Sequence, residues 1–142
     1  MKIRLSIWQK FLLAFAMFAI AIVGFMVKLP SVFSHNDKEM HSLFYFLAAA
    51  FLNILFAKRN LLIHLVILGV LYAFGVAIEY AQQYSNTFFH KRIHGNADPE
   101  DIHANLQGLL VFSALWLFYV VVVFVYKKIS VKEPVSSKQQ KV

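Results

Sequence analysis

Four long apolar runs, each bounded by charged or turn-forming residues, constrain this chain more than any other feature of its sequence. The last run is the clearest, because residues 109–126 include no charged side chain. A helix of about 18–25 residues spans the ~30 Å hydrocarbon core of a bilayer. Because 60% of the residues are hydrophobic and 15% are charged, the chain is also too apolar for an ordinary soluble domain. We therefore predict an all-α transmembrane bundle of four antiparallel neighbours, with helices at about residues 8–28, 37–57, 61–84 and 98–126.

The two ends of the chain require separate interpretation. A basic start followed by an apolar run is also the pattern of a signal peptide. The run from Phe11 to Val27 is long for such a peptide, and no small-x-small cleavage pattern follows it. We therefore predict an uncleaved first transmembrane helix within a single domain at residues 1–128. Residues 129–142 are polar and rich in lysine, and we expect this tail to be disordered.

Lysine and arginine residues are unevenly distributed between the two sides of the predicted helices. Ten of the fourteen lie in the N-terminal segment, in the turn after the second helix, or at and beyond the end of the fourth. The positive-inside rule therefore predicts that both termini are cytoplasmic. The start of the second helix, the end of the third and the start of the fourth then lie at the outer face.

Composition also excludes several classes of function. The formal charge of +7 does not indicate nucleic-acid binding, because the basic residues lie between and beyond the apolar runs, as in membrane proteins. The chain has no cysteine, which excludes a disulfide framework, a thiol nucleophile and a thiolate metal site. No known metal-ligand spacing occurs, so we predict no metal and no cofactor.

Polar residues are grouped at those ends of the helices that are predicted to face outward. Six of the seven acidic residues lie there. Residues four apart share a helix face, so facing helices can direct their polar residues toward one interior. We predict one binding site, formed by Asp37, Lys38 and His41 of the second helix, Glu79 and Gln82 of the third, Arg92 of the following loop, and Asp101 and Asn105 of the fourth.

Simpler explanations exist for most of these residues. Capping and the helix dipole account for the acidic residues at the start of the fourth helix. Lys38 and Arg92 are explained equally by contact with lipid headgroups, and His41 by a structural hydrogen bond. Glu79 is the exception, since no capping rule requires a carboxylate near the C-terminal end of a helix and the dipole disfavours it.

The polar motifs, taken in order, resemble those of the VanZ-like family of membrane proteins. They are Asp37-Lys38-x-x-His41 with Tyr45 four residues on, Glu79-x-x-Gln82, Arg92, and Asp101-x-x-x-Asn105-x-x-Gly108. This resemblance implies a multi-pass protein of the bacterial inner membrane. The namesake of the family is linked to resistance to the glycopeptide antibiotic teicoplanin, which acts at the outer face of the membrane.

The chain departs from the family pattern in two places. The family often has a second glycine four residues after the first, where this chain has Phe112, so we expect looser helix packing there. The interval between Arg92 and Asp101 is also longer by a few residues than the family pattern.

The first function that fits is a non-enzymatic envelope protein. Its outward-facing polar pocket would bind a lipid headgroup or a lipid-linked envelope precursor, and so affect glycopeptide susceptibility. Lys38 and Arg92 would contact phosphate, while Glu79, Asp101 and Asn105 would hold them in position.

The second is a membrane-embedded enzyme that acts on a lipid-linked envelope substrate. His41 would serve as a general acid or base oriented by Asp37 or Glu79, and Asp101 would polarise water or hold a metal. Transport is disfavoured, because polar groups occur at one end of the helices only. The sequence does not decide between binding protein and enzyme, and it does not indicate an oligomeric state.

Overall fold

The computed structural model describes residues 5–26, 36–90 and 97–130. Within these ranges the chain forms helices and no strand. The helices are α1 (Ile7–Met26), α2 (Asp37–Leu52), α3 (Leu61–Phe88) and α4 (Pro99–Ser130). A π-helical turn, Asn53–Ala57, continues α2, and with that turn included each of the four is long and apolar enough to cross a membrane. The predicted all-α fold with four transmembrane-length helices is therefore confirmed for the described part of the chain.

Helix α3 ends at Phe88, one turn beyond the predicted end at residue 84. The polar residues of this turn do not interrupt the helix, because two hydroxyls bond to carbonyl oxygens of the preceding turn. Ser85 Oγ donates to the carbonyl three residues earlier (2.9 Å), and Thr87 Oγ1 donates to the one four residues earlier (3.1 Å). The chain leaves the helix where His90 adopts a left-handed φ of 49°.

Polar side chains cap the N-termini of α3 and α4. Asn60 Oδ1 accepts a hydrogen bond from the N–H of Ile63 at 3.2 Å. Asp98 Oδ1 accepts one from the N–H of Glu100 at 2.8 Å, and Pro99 occupies the first helical position. These groups satisfy N–H donors that the helices cannot satisfy internally, and so define where both helices begin.

Helices α2 and α4 lie close together at Gly108. A Cβ atom added at Gly108 would overlap the backbone carbonyl oxygen of Ser42. Small residues allow such close approach between transmembrane helices. Asn105 precedes Gly108 by three residues, so the same crossing brings the Asn105 side chain against α2. The buried core of the helices is apolar and consists mainly of Ala48, Ala49, Leu52, Ile67, Leu71 and Leu109.

Phe112 occupies the position where the family pattern often has a second glycine, and where we predicted looser helix packing. Its ring lies 5.7 Å from the ring of Phe46 and 6.2 Å from that of His64. Packing at this level is therefore made by rings rather than by direct backbone contact.

Helix α1 packs against the other helices through few side chains. The Phe18 and Phe74 rings make an edge-to-face contact at 4.9 Å. Lys10 Nζ donates to the carbonyl oxygen of Leu55, in the π-helical turn, at 2.7 Å. Most large apolar side chains of α1 are exposed, as expected for a helix that faces lipid.

The chain divides into two compact units, Met1–Phe112 and Ser113–Val142. The described part of the second unit is the continuation of α4 to Ser130, four residues past the predicted end at residue 126. Lys127 and Lys128 lie in its last turn, where the helix dipole favours positive charge. The predicted disordered tail lies outside the described residues, apart from the two residues that α4 includes.

Candidate functional site

Polar residues of α2, α3 and α4 converge within the first unit. His41 Nδ1 and Asn105 Oδ1 lie 2.9 Å apart and join α2 to α4. The backbone N–H of Asp98 donates to Glu79 Oε2 at 3.2 Å and joins α4 to α3. We refer to the side chains gathered there as the polar cluster, which consists of Asp37, His41, Tyr45, Glu79, Asp101 and Asn105.

The His41–Asn105 hydrogen bond lies inside the protein. His41 is 6% exposed and Asn105 is 2% exposed. Because the amide oxygen of Asn105 can only accept, the bond uses the hydrogen on Nδ1 of His41. Nε2 lies 3.8 Å from Asp37 Oδ1, one helical turn earlier on α2. The histidine therefore presents its second ring nitrogen to a carboxylate.

Glu79 is the most buried carboxylate of the polar cluster, at 1% exposed. Its Oε2 accepts from Asp98, whereas its Oε1 has no hydrogen-bond partner among the described residues. The hydroxyl of Tyr45, which is 0% exposed, also has no partner in the described ranges. An unpaired buried polar group costs roughly 1–3 kcal/mol, so these two atoms indicate a site that a ligand or water completes.

Gly75 leaves space beside α3 for the polar ends of the Tyr45 and Asn105 side chains. A Cβ atom at Gly75 would lie 2.9 Å from Tyr45 Oη and 2.9 Å from Asn105 Nδ2. Glu79 follows Gly75 by one turn on the same face of α3. The glycine thus supplies the space in which the polar ends of two side chains meet α3.

Lys38 pairs with a carboxylate outside the predicted site. We expected Glu79, Asp101 and Asn105 to hold it in position, but Lys38 Nζ pairs with the carboxylate of Glu100. Both of these side chains are exposed, so the pair lies at the rim of the polar cluster. The rim position follows from the helix geometry, because Lys38 is one residue away from the face that Asp37 and His41 share.

Gln82 also contacts a different part of the protein from the predicted site. Its Nε2 donates to the backbone carbonyl oxygen of Phe25, in the last turn of α1, at 2.8 Å. The Phe25 ring lies 4.9 Å from the His41 ring. Gln82 therefore holds the aromatic side chain that covers His41 on the α1 side. Arg92, the remaining predicted residue, lies outside the described residues.

The predicted site residues did not include Tyr45, Gly75 or Asp98, although Tyr45 belongs to the family motif that the sequence resembles. Tyr45 lies four residues after His41, which was a usable signal for a shared face. Gly75 lies four residues before Glu79, but a glycine carries no signal of the side chains that will occupy the space beside it. Asp98 was attributed to capping, which it performs, while its backbone N–H also binds Glu79.

Acidic groups dominate the described surroundings of the polar cluster. Lys38 is the only lysine or arginine that the structure describes at this end of α2, α3 and α4. The carboxylates at the same end are those of Asp37, Glu39, Glu79, Asp98, Glu100 and Asp101. Such a site attracts a cation, and it accepts an anion only with added positive charge.

One subset of the polar cluster has the donor atoms of a metal site. Asp37, His41 and Asp101 each offer one ligand atom, and these atoms all lie within 4.8 Å of one another. The same three groups are suited to exchanging protons with a bound molecule, because a histidine between two carboxylates is a common acid–base arrangement.

Comparisons of the chain with protein-family models, with curated proteins and with solved structures gave no match.

Proposed function

We propose that this chain is a multi-pass protein of the bacterial inner membrane, similar to VanZ-like proteins. Its polar cluster binds the polar head of a membrane lipid or of a lipid-linked envelope precursor at the outer face. Through that binding it changes the susceptibility of the cell to glycopeptide antibiotics. The observation that carries the proposal is that three transmembrane-length helices direct buried polar side chains to one place while their outer surfaces are apolar.

The state of the polar groups favours a binding site over a purely structural network. Ionisable groups within transmembrane segments are costly unless they are paired or hydrated. A network that only held the helices together would pair its members fully. Here two buried atoms, Glu79 Oε1 and Tyr45 Oη, have no hydrogen-bond partner in the described ranges. The hydrogen bonds between His41 and Asn105 and between Asp98 and Glu79 hold the three helices together.

The outer-face location rests on the distribution of positive charge. It can be tested directly, because the chain has no native cysteine. A membrane-impermeant maleimide should label Glu39→Cys in intact cells and should label Lys58→Cys only after the membrane is permeabilised. Both positions are exposed. The reverse labelling pattern would place the polar cluster at the cytoplasmic face and contradict the proposal.

The binding proposal is tested with purified full-length protein in nanodiscs. The probes are phosphatidylglycerol and a polyprenyl pyrophosphate, and retention is measured by native mass spectrometry. We expect His41→Gln to reduce retention of at least one probe by about tenfold, because its ring is central to the polar cluster. His64→Gln is the matched control, since His64 is also buried and is bonded to an asparagine, Asn53, at 2.7 Å. Equal retention by both variants and the unmutated protein would remove the polar cluster from lipid binding.

The cellular readout is teicoplanin susceptibility in a strain that expresses each variant at equal level. The proposal expects a change in susceptibility with the unmutated protein and with His64→Gln, and none with His41→Gln. A change that persists in His41→Gln at unaltered expression would contradict it.

The position of His41 also favours a second candidate, a membrane-embedded enzyme that acts on a lipid-linked envelope substrate. Asn105 holds Nδ1, so Nε2 is directed toward Asp37 and remains able to accept a proton. Incubation of the purified protein with the polyprenyl pyrophosphate separates the two candidates. Product formation that requires His41 supports the enzyme, and tight retention of unchanged probe supports the binding protein.

A further inference from the structure

Asp37, His41 and Asp101 have the composition and spacing of a divalent-cation site. Two of them lie one turn apart on α2, and the third lies in the first turn of α4. Their candidate ligand atoms all lie within 4.8 Å of one another. Two ligands on one tetrahedral ion with bonds of about 2.1 Å are about 3.4 Å apart, so a small side-chain adjustment closes the site around an ion. We propose that these three residues bind one divalent transition-metal ion of the Zn²⁺ or Mn²⁺ class.

The orientation of the His41 ring is that of a metal ligand. Metal-bound histidines usually donate their other ring N–H to an oxygen acceptor, which sets the tautomer and the ring plane. Asn105 Oδ1 plays that part at 2.9 Å from Nδ1. Nε2 then faces Asp37 Oδ1 at 3.8 Å, beyond hydrogen-bonding distance and close to the spacing of two ligands on one ion.

Glu79 supplies an independent indication of a cation. Its carboxylate is almost fully buried, and its Oε1 lacks a partner among the residues that the structure describes. Its Oε2 accepts from the backbone N–H of Asp98, three residues before Asp101, so the carboxyl group lies beside the start of α4. A cation bound at Asp101 would therefore supply positive charge close to this carboxyl group.

The donor set selects the class of ion. Imidazole is a common ligand of zinc, and carboxylates are ligands of both zinc and manganese, so one histidine with two carboxylates fits an ion of this class. With three protein ligands, the ion retains at least one open position for water or for a ligand oxygen. The sequence alone predicted no metal, although the enzyme alternative considered Asp101 as a metal holder, because Asp101 lies 60 residues after His41 and no short motif contains all three ligands.

The metal also explains how an acidic site accepts a phosphate, an extension that rests on the proposed function. The described surroundings of the polar cluster are mainly carboxylates, which repel a phosphate headgroup. A bound divalent ion would offer its open position to a phosphate oxygen, and the exposed Lys38 at the rim would add positive charge at the same end of the helices.

The test uses the purified full-length chain in detergent after treatment with EDTA, and the probes are Zn²⁺ and Mn²⁺. Calorimetry measures affinity for each ion, and electron spin-echo spectroscopy of bound Mn²⁺ detects a directly coordinated ¹⁴N nucleus. We expect saturable binding with one ion per chain and a ¹⁴N coupling from His41. Absence of saturable binding, or binding without ¹⁴N coupling, overturns the proposal. The coupling is measured on the unmutated chain, so it does not depend on any variant folding.

Variants of the proposed ligand residues show which side chains bind the ion. Asp101→Asn and His41→Gln should weaken binding by at least about tenfold, and Asn105→Ala by about tenfold through loss of ring orientation. Glu100→Gln and His64→Gln are matched controls, because the first removes an adjacent exposed carboxylate and the second a buried histidine elsewhere. Equal losses in Glu100→Gln and Asp101→Asn would show nonspecific attraction to surface charge and refute the assignment.

The metal site and the proposed function can fail separately. If the polyprenyl pyrophosphate binds equally well with EDTA and with Zn²⁺, and no ion binds, the metal site is refuted and the lipid-binding function stands. If Zn²⁺ binds through His41 but neither lipid probe is retained, the metal site stands and the proposed function is refuted.

Discussion

His41 and Asn105 are 64 residues apart in the chain, yet their side chains share a buried hydrogen bond of 2.9 Å between Nδ1 and Oδ1. A second buried pair joins His64 to Asn53 at 2.7 Å, about 22 Å from Glu79 along α3. Among the described residues, only the first pair lies beside carboxylates that could serve as metal ligands. The two pairs therefore allow a test of whether His41 has a role beyond the structural one that both histidines share.

The His41–Asn105 bond should couple the stabilities of α2 and α4. A double-mutant cycle with His41→Ala and Asn105→Ala is expected to give a coupling energy of about 0.6 kcal/mol, with ~1.7 kcal/mol as the upper range for such bonds in membranes. Denaturant unfolding in mixed micelles measures it. The control cycle combines His41→Ala with Asn53→Ala, which should be additive within about 0.5 kcal/mol because the residues do not touch. Strict additivity in both cycles would contradict the bond.

The crossing of α2 and α4 predicts that Gly108 does not tolerate a side chain. The Cβ of Gly108→Ala would overlap the carbonyl oxygen of Ser42, so the helices must separate. We expect a loss of roughly 1–3 kcal/mol in the free energy of unfolding. Gly69→Ala is the matched control, since no atom lies within 4 Å of its added Cβ. Similar stabilities for the two variants would show that the crossing is looser than described.

Gly75 should affect the site more than the fold. The added Cβ of Gly75→Ala would lie 2.9 Å from Tyr45 Oη and from Asn105 Nδ2, both of which are the polar ends of side chains. We expect both side chains to shift, which disturbs the ring orientation that Asn105 gives His41. Zn²⁺ affinity measured by calorimetry should therefore fall by about tenfold. Gly24→Ala is the control, because no atom of the described residues lies within 4 Å of its added Cβ. It should bind Zn²⁺ like the unmutated chain.

The fold was predictable because it is encoded in local composition. Residues 109–126 contain no charge, and few conformations other than a transmembrane helix bury such a run. The later end of α3 was not predictable from Ser85 and Thr87, because both residue types are common in loops. In the structure their hydroxyls donate hydrogen bonds to carbonyl oxygens of the preceding turn, so the helix continues past them. The helix ends before His90, whose φ is left-handed.

The site was predictable only in part, because helix periodicity identifies faces and not partners. Glu79 stood out, since neither capping nor the helix dipole explains a carboxylate there. The partner of Lys38 was missed, because several carboxylates lie within reach of a long side chain at a helix end. Gln82 shared the face of Glu79 in a periodic reading, but its amide reaches the carbonyl of Phe25 on α1. Such choices depend on how helices pack, which periodicity does not specify.

We expect that replacing Glu79 makes the fold more stable and weakens binding at the polar cluster. Glu79→Gln retains an oxygen that can accept from the N–H of Asp98, and it replaces a buried ionisable group whose Oε1 has no partner in the described ranges. We expect the free energy of unfolding to rise by about 1 kcal/mol in EDTA, as is common when a destabilising functional group is neutralised. Zn²⁺ binding and lipid retention should weaken in the same variant, because the charge that favours a cation is lost.

Glu100→Gln is the control for this prediction, since it removes an exposed carboxylate of the same end and should change stability and Zn²⁺ binding little. Denaturant unfolding and calorimetry on the same preparations separate the two effects. If the role of Glu79 is purely structural, Glu79→Gln should have a lower free energy of unfolding than the unmutated chain. The variant protein that remains folded should then bind Zn²⁺ as tightly as the unmutated chain does. A variant that is more stable but binds less would identify Glu79 as a group kept for binding at the expense of stability.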